Sequence, residues 1–302
     1  MEALRHRTIR GAPLRLAAAG LIVLVAWMLF SGSGTQPAAV PPQTADAADT
    51  RPLACAPESP APWLHLDAYA LLSASGAEIE DGHPWNGANV RVRGSSASAR
   101  VKKGRRGYPY LSLSGAQRSP DGEAADGAWV QLPAGRSLTN GGATFVGLVR
   151  LNSNLGWDRV FELRTEGAQA AFEIHRDDAT DGMFFVYYRA DGDVAARPTF
   201  SMPGAAAASA GWQVVAMVVT PEELRGWAMP AGEWTAMTGA NGLRMADGEH
   251  IATARLGASA SVSAGDGPSD LDVREALFFD VALDEAEVVA LRDCLLKKWE
   301  ER

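Results

Sequence analysis

The chain has 302 residues, 47% of them hydrophobic, with 36 Asp+Glu against 28 Lys+Arg and a formal net charge of −8. That apolar content fills a core, and one β-sandwich can absorb roughly 200–250 residues by itself. An acidic balance without a basic stripe excludes a nucleic-acid-binding surface.

Arg5, Arg7, Arg10 and Arg15 precede LAAAGLIVLVAWMLF, residues 16–30, which carries no charge. Counted from Ala12, with Arg15 snorkelling to the interface, this stretch reaches about the minimum that crosses a bilayer core. The positive flank is expected to stay cytoplasmic and to send the C-terminal part outward, to a cell or virion surface. Trp27 and Phe30 fit an interfacial belt. A cleaved signal peptide is the alternative, with Ala45-Asp46-Ala47 as a small-x-small site well past Phe30. Residues 1–15 then form a basic cytoplasmic tail and 16–30 a transmembrane signal-anchor. Residues 31–62 are rich in Pro, Ala, Ser, Thr and Gly, cannot bury a core, and read as an extended stalk. The folded domain spans 63–302.

Cys55 and Cys294 sit near the two ends of the exported part. Two distant cysteines in an oxidising compartment are expected to pair, and free thiols in a reducing one are the alternative. No N-x-[ST] sequon occurs.

From 143 onward the chain reads as strands with period two: 143–151, 158–165, 170–176, 182–189 and 211–219. Gly, Asp, Asn and Pro punctuate them. Strands at this spacing predict an antiparallel sandwich or barrel. GAAAASAG, 204–211, reads as a loop. One helix is expected, DEAEVVALRDCLLKKW at 284–299. Asp284 and Glu287 have capping-box spacing, Val288, Leu291 and Leu295 share a face, and Lys297 and Lys298 suit the C-terminal dipole.

Before that helix, DLDVREALFF places Asp270, Asp272 and Glu275 close together. Regular alternation over 271–283 sets Val273, Glu275, Leu277 and Phe279 on one face and Asp272 on the other. On that reading Asp272 and Glu275 cannot flank one sugar, and the two-carboxylate geometry of glycoside hydrolysis is not met.

VREALFFDVALDEAEVVALRDCLLKKW, 273–299, resembles the C-terminal signature of concanavalin A-like, laminin-G-like jelly rolls, with an inward Glu, a Leu-Asp-Glu-x-Glu step and a closing helix ending in Trp. WLHLDAYALL (63–72) is similar to the family's opening strand. GYPYLSLSGAQRSPDGEAADGAWVQLPAG (107–135), TFVGLVRL (144–151) and GWQVVAMVV (211–219), led by Trp212, resemble later segments. The resemblance covers about 63–299 and rests on the order of weak motifs. It implies an all-β, two-sheet antiparallel jelly-roll sandwich with one C-terminal helix, preceded here by the transmembrane helix.

That fold also hosts enzymes. Asp270-x-Asp272-x-x-Glu275 is the nearest match to a laminarinase-type Glu-x-Asp-x-x-Glu site, but with Asp first and in the closing strand. Phe161-Glu162-Leu163-Arg164, Glu173-Ile174-His175 and Tyr187-Tyr188-Arg189-Ala190-Asp191-Gly192 resemble alginate-lyase strands. In that reading Arg164 neutralises a uronate while His175 and Tyr187 perform acid/base elimination. Glu173 and Arg189 depart from the family's Gln and Lys.

Binding candidates remain. Trp85, Trp157, Trp227 and Trp234 lie beside turn residues, where exposed rings stack on sugars and buried ones simply pack. Asp266, Asp270 and Asp272, in GDGPSDLD, offer oxygen ligands that suit calcium, against a solvated acidic turn. KKGRR, 102–106, is a basic loop suited to an anionic glycan or headgroup, or simply solvated. Trp212 and Trp299 are assigned to the core. The expectation is a membrane-anchored, non-enzymatic surface module recognising a glycan or protein partner. A polysaccharide-degrading enzyme and an envelope or capsid protein are the alternatives.

Overall fold

The structure, a computed structural model, describes residues 55–300 apart from 58–59, 75–77, 80–82, 86–89, 95–97, 105–106, 116–126, 140–141, 153–157, 167–169, 177–182, 190–198, 203–210, 221–223, 229–234, 240–249 and 259–267. The anchor at 16–30, most of the stalk, and the loop at 204–210 lie outside the described residues. Among the described residues no helix is long and apolar enough to cross a membrane.

Fifteen strands are described. They are β1 (Leu64–Asp67), β2 (Arg91–Gly94), β3 (Ala99–Lys103), β4 (Pro109–Leu113), β5 (Ala128–Leu132), β6 (Ala143–Leu151), β7 (Arg159–Thr165), β8 (Ala170–Arg176), β9 (Met183–Arg189), β10 (Thr199–Met202), β11 (Gln213–Val219), β12 (Leu224–Ala228), β13 (Thr235–Gly239), β14 (Ile251–Leu256) and β15 (Leu271–Phe279). Helix α1 spans Glu285–Glu300. One sheet runs β13-β12-β11-β6-β15-β4-β3 with β1 also on β15; the other runs β10-β9-β8-β7-β14-β5-β2. All the pairings are antiparallel. Two antiparallel sheets closed by one helix are consistent with a jelly-roll sandwich.

The sheets meet through apolar side chains from both inner faces. At the centre Phe145 and Phe278 of the eight-stranded sheet meet Phe161 of the seven-stranded one, with ring centroids 4.7 Å (Phe145–Phe161) and 5.4 Å (Phe161–Phe278) apart. Gly147 makes room for this stack, since a Cβ there would come within 2.7 Å of the Phe145 ring.

The central strands depart from period two. Every described position of β11 is buried, and in β6 only Arg150 escapes full burial. A second apolar cluster explains this. Val146, Leu148, Val214, Ala216, Val218, Leu277 and Phe279 cover the sheet's outer face, and Val288, Leu291, Leu295 and Trp299 of α1 pack on them. Strands buried on both faces read as continuous apolar runs. The expected opening strand at 63–72 is also shorter. Strand β1 stops at Asp67, whose Oδ1 accepts the Tyr69 N–H at 2.8 Å and turns the chain into a 3-10 helix, Ala68–Ala74.

Helix α1 starts as the capping box requires. The Glu287 N–H donates to Asp284 Oδ1 and the Asp284 N–H donates to Glu287 Oε2, both at 2.8 Å. The helix also carries a covalent tie: Cys294, partly buried, forms a disulfide with Cys55, Cα–Cα 5.6 Å, across a sequence separation of 239. On the loop-entropy account such a closure is worth up to roughly 5 kcal/mol, and native bridges typically contribute about 2–4. Reductant should therefore lower the wild-type unfolding free energy by an amount in that range, read as a lower denaturant midpoint, and the Cys55→Ser/Cys294→Ser variant should start low and ignore reductant. A wild-type midpoint indifferent to reductant would overturn this.

Candidate functional site

The opening strand, the closing strand and the last turn of α1 converge on one carboxylate. Glu275 has no exposure to solvent. Its Oε2 accepts from Lys298 Nζ at 2.6 Å and from the Trp299 indole N–H at 2.9 Å, and its Oε1 lies 2.6 Å from His65 Nε2. Lys298 Nζ also reaches Asp67 Oδ2 at 2.5 Å. Burial pushes the Glu275 carboxyl up, but the His65 hydrogen bond and the Lys298 ammonium outweigh it and hold it below the ordinary glutamate value.

Glu275 reaches this position through a β-bulge. The register of β15 against β6 shifts between Val273 and Glu275. Before the shift Asp272 pairs with Arg150; after it Glu275 pairs with Leu148, on the same outer face. The alternation expected from sequence is thus corrected: Asp272 and Glu275 share a face, because the extra residue, Arg274, resets the parity. Both carboxylates are engaged, Asp272 by the Arg150 guanidinium and Glu275 as above.

Among the described residues, His65, Asp67 and Glu275 are the side chains grouped closely enough to hold a metal ion. They do not fit one as they stand, since the Lys298 ammonium already lies between both carboxylates. Of the calcium candidates in sequence, Asp266 lies outside the described residues. Asp270 Oδ1 accepts the Gly115 N–H at 2.8 Å, and Asp272 is buried against Arg150.

The aromatic candidates divide. Trp85 is fully buried, its indole N–H donating to the Asp67 carbonyl at 3.0 Å, and Trp227 is buried under α1. Neither ring offers a face to a sugar, because both are packed inside the apolar clusters. Trp157 and Trp234 lie outside the described residues. Trp299 is core, whereas Trp212 is only partly buried.

The face that remains polar is that of the seven-stranded sheet. Its strands do alternate. Val92, Val130, Leu132, Ala254, Leu256, Phe161, Leu163, Phe172 and Ile174 point to the core, so Arg91, Gln131, Arg255, Glu162 and Glu173 face away. The register sets these five in one row across β2, β5, β14, β7 and β8. Arg255 Nε donates to Gln131 Oε1 at 3.1 Å, and its guanidinium lies 5.5 Å from the Trp129 ring centre. Arg164 Nε donates to Glu162 Oε1 at 2.6 Å, and Arg159 Nη2 lies 3.2 Å from Glu173 Oε2. Burial, with the like charge of Arg164 adding to it, lowers the Arg255 pKa despite the opposing pull of Glu162. Glu162, Glu173, Arg159 and His175 are buried, while Trp129, Gln131, Thr253, Arg255 and Arg164 are half-exposed. One end of the row is thus filled and the other is open.

Arg164 and His175 belong to this face, one at the open end and one at the filled end. Tyr187 is registered opposite Phe172 across β8 and β9. Sequence reading missed Trp129, Gln131 and Arg255. The available signal was AWVQL, an alternating strand with Trp and Gln on its polar positions.

No protein-family model and no curated protein sequence matches the chain. Among solved structures it is similar to the carbohydrate-binding module CBM40 of the Ruminococcus gnavus IT-sialidase bound to α2,3-sialyllactose (15% identity, 54% of this chain and 96% of that one, TM-score 0.40). It is similar to the exoplasmic/lumenal domain of VIP36 in a Ca2+/Man2-bound form (10% identity, 73% and 89%, TM-score 0.40). It is also similar to a Trypanosoma rangeli sialidase in complex with sialic acid (14% identity, 78% and 33%, TM-score 0.47). Nothing about this chain's ligand follows from these likenesses.

A folded-state pKa below the unfolded value means that the Glu275 contribution is complete above the ordinary glutamate range and is lost as pH falls through it. Wild-type stability should therefore fall as the pH is taken down through and below the ordinary glutamate range. Glu275→Gln should lose about 1–3 kcal/mol at neutral pH, because the buried Lys298 keeps Asp67 but loses its hydrogen bond to a second carboxylate, and should show a flatter acid limb. Denaturant melts across that range check both, and a variant as steep as wild type would sink the assignment.

Proposed function

We propose that this chain is a membrane-anchored, surface-displayed module that binds a glycan on the polar face of its seven-stranded sheet and does not cleave it. The observation that carries this is the half-exposed cluster of Trp129, Gln131, Arg255, Thr253 and Arg164 on a face the helix leaves uncovered. Guanidinium and carboxamide groups match the vicinal hydroxyls of a sugar. The half-exposed Trp129 ring suits the apolar face of a sugar. The basic flank and apolar run at 1–30 support the anchor, and the Pro/Ala-rich 31–62 supports a stalk that holds the module off the bilayer.

A hydrolase is the second reading, and one observation favours it: Glu162 and Glu173 pair directly across β7 and β8. Against it, both are buried and each faces an arginine. Carboxylates shut off from solvent behind guanidiniums cannot flank a sugar as glycoside hydrolysis requires.

The test uses the full chain in neutral detergent on an array of neutral, mannosylated, sialylated and uronate glycans, with calcium or chelator, beside a cleavage assay. Binding is expected, unchanged in chelator and without new chain ends. Arg255→Ala or Gln131→Ala should weaken it about 10-fold or more, the size of a lost hydrogen bond involving a charged group. Binding untouched by both variants would remove this face from consideration, and new chain ends would make the protein an enzyme.

A further inference from the structure

On the other sheet, the residue that the β15 bulge inserts sits among aromatic rings. The Arg274 guanidinium carbon lies 4.1 Å from the Trp212 ring centre, 5.3 Å from Trp299 and 5.9 Å from Tyr108. Arg150 comes to the same indole, 5.0 Å from its centre, and stands 5.5 Å from Tyr110. Tyr110 in turn meets Trp212 edge-on at 5.4 Å. The turn at Gly104 closes the third side: a Cβ there would lie 3.3 Å from Arg274 Nη2.

Among the described residues, the two guanidiniums share one site with a single carboxylate, Asp272, whose Oδ2 is taken by Arg150 while its Oδ1 is buried without a partner. Among the described residues Arg274 meets no carboxylate and no hydrogen-bond acceptor, and its Nε is buried without a partner. Ring faces attract a cation but do not cancel its charge or accept its N–H groups. Burial first, and then the like charge of Arg150, bring the Arg274 pKa down to about 10. The side chain remains partly exposed, as do Arg150, Tyr110 and Trp212. Exposed Lys102 continues the line on the same face, paired with Tyr110 across β3 and β4.

We propose that Arg274 and Arg150, walled by Trp212 and Tyr110, form a binding site for an oxyanion group, a sulfate or carboxylate, on the outer face of the eight-stranded sheet. The guanidinium fork suits two oxygens of such a group, and the aromatic walls fix the fork's plane. The site is separate from the polar row of the seven-stranded sheet. Lys102 extends it along β3, which favours a group carried on an acidic polysaccharide over a free ion.

The test uses the full chain in neutral detergent at constant ionic strength. Sodium sulfate, a heparin oligosaccharide and uncharged dextran are titrated while the Trp212 indole N–H is followed by NMR, assigned with Trp212→Phe. The expected result is a saturable shift with sulfate, a stronger one with heparin, and none with dextran. Arg274→Gln should weaken both about 10- to 100-fold, as removal of a charged hydrogen-bonding group does, and Arg274→Lys should fall between. Lys102→Gln should weaken heparin alone. Arg255→Ala should leave every titration unchanged, so this site and the sheet-face site fail separately. A shift with heparin but not sulfate assigns the group to the polysaccharide and upholds the site. An unmoved Trp212 signal in the wild-type protein overturns the proposal even where Arg274→Gln does not fold, and so does an Arg274→Gln protein that binds as wild type does.

Discussion

Glu275 is a carboxylate with no route to water, and the two termini of the folded domain are held together at its oxygens. His65 comes from the first strand, Lys298 and Trp299 from the last turn of the helix, and Asp67 shares the lysine. Asp67 also receives the Trp85 indole N–H on its carbonyl and starts the 3-10 helix through its side chain. A buried ion pair adds little net stability, since desolvation offsets most of the attraction, but leaving one member unpaired is costly. The cluster therefore acts on geometry: α1 has one docking position in which Lys298 and Trp299 both reach Glu275. The disulfide at Cys294 fixes the same helix to the chain before β1.

That docking decides which surface is available. With α1 seated, the outer faces of β6, β11 and β15 are buried under Val288, Leu291, Leu295 and Trp299. The seven-stranded sheet keeps a polar face, and its row of Arg, Gln and Glu side chains is held by cross-strand register. The bulge that turns Glu275 under the helix also inserts Arg274 among the rings of Trp212, Tyr108 and Trp299. One local irregularity thus supplies both the anchor for the helix and a charge that, among the described residues, has no counter-ion beside it.

Much of the fold was legible. The strands at 143–151 and 170–176 have the expected bounds, and the capping box of Asp284 and Glu287 sets the helix start where the spacing requires. These are local signals, carried by residues within a few positions of one another. The site was less legible. Trp85 and Trp227 sit beside turn residues in the sequence, yet their rings are buried, because a ring's direction is set by what packs over it. Trp129, Gln131 and Arg255 come from different strands, and no spacing within one strand announces that they meet. The bulge was also hidden: DLDVREALFF alternates acceptably when read straight, and only the pairing with β6 reveals the extra residue.

By itself the sequence determined that this is an antiparallel β domain closed by one capped helix, with two cysteines placed to join its ends. Turn chemistry, apolar runs and the capping box act over short distances, so they survive without the fold. Which carboxylate is buried, which tryptophans are available and which arginine lacks a counter-ion were decided by the tertiary structure. Burial and electrostatics depend on neighbours that the chain brings together from as far apart as His65 and Glu275, and no local pattern encodes that meeting.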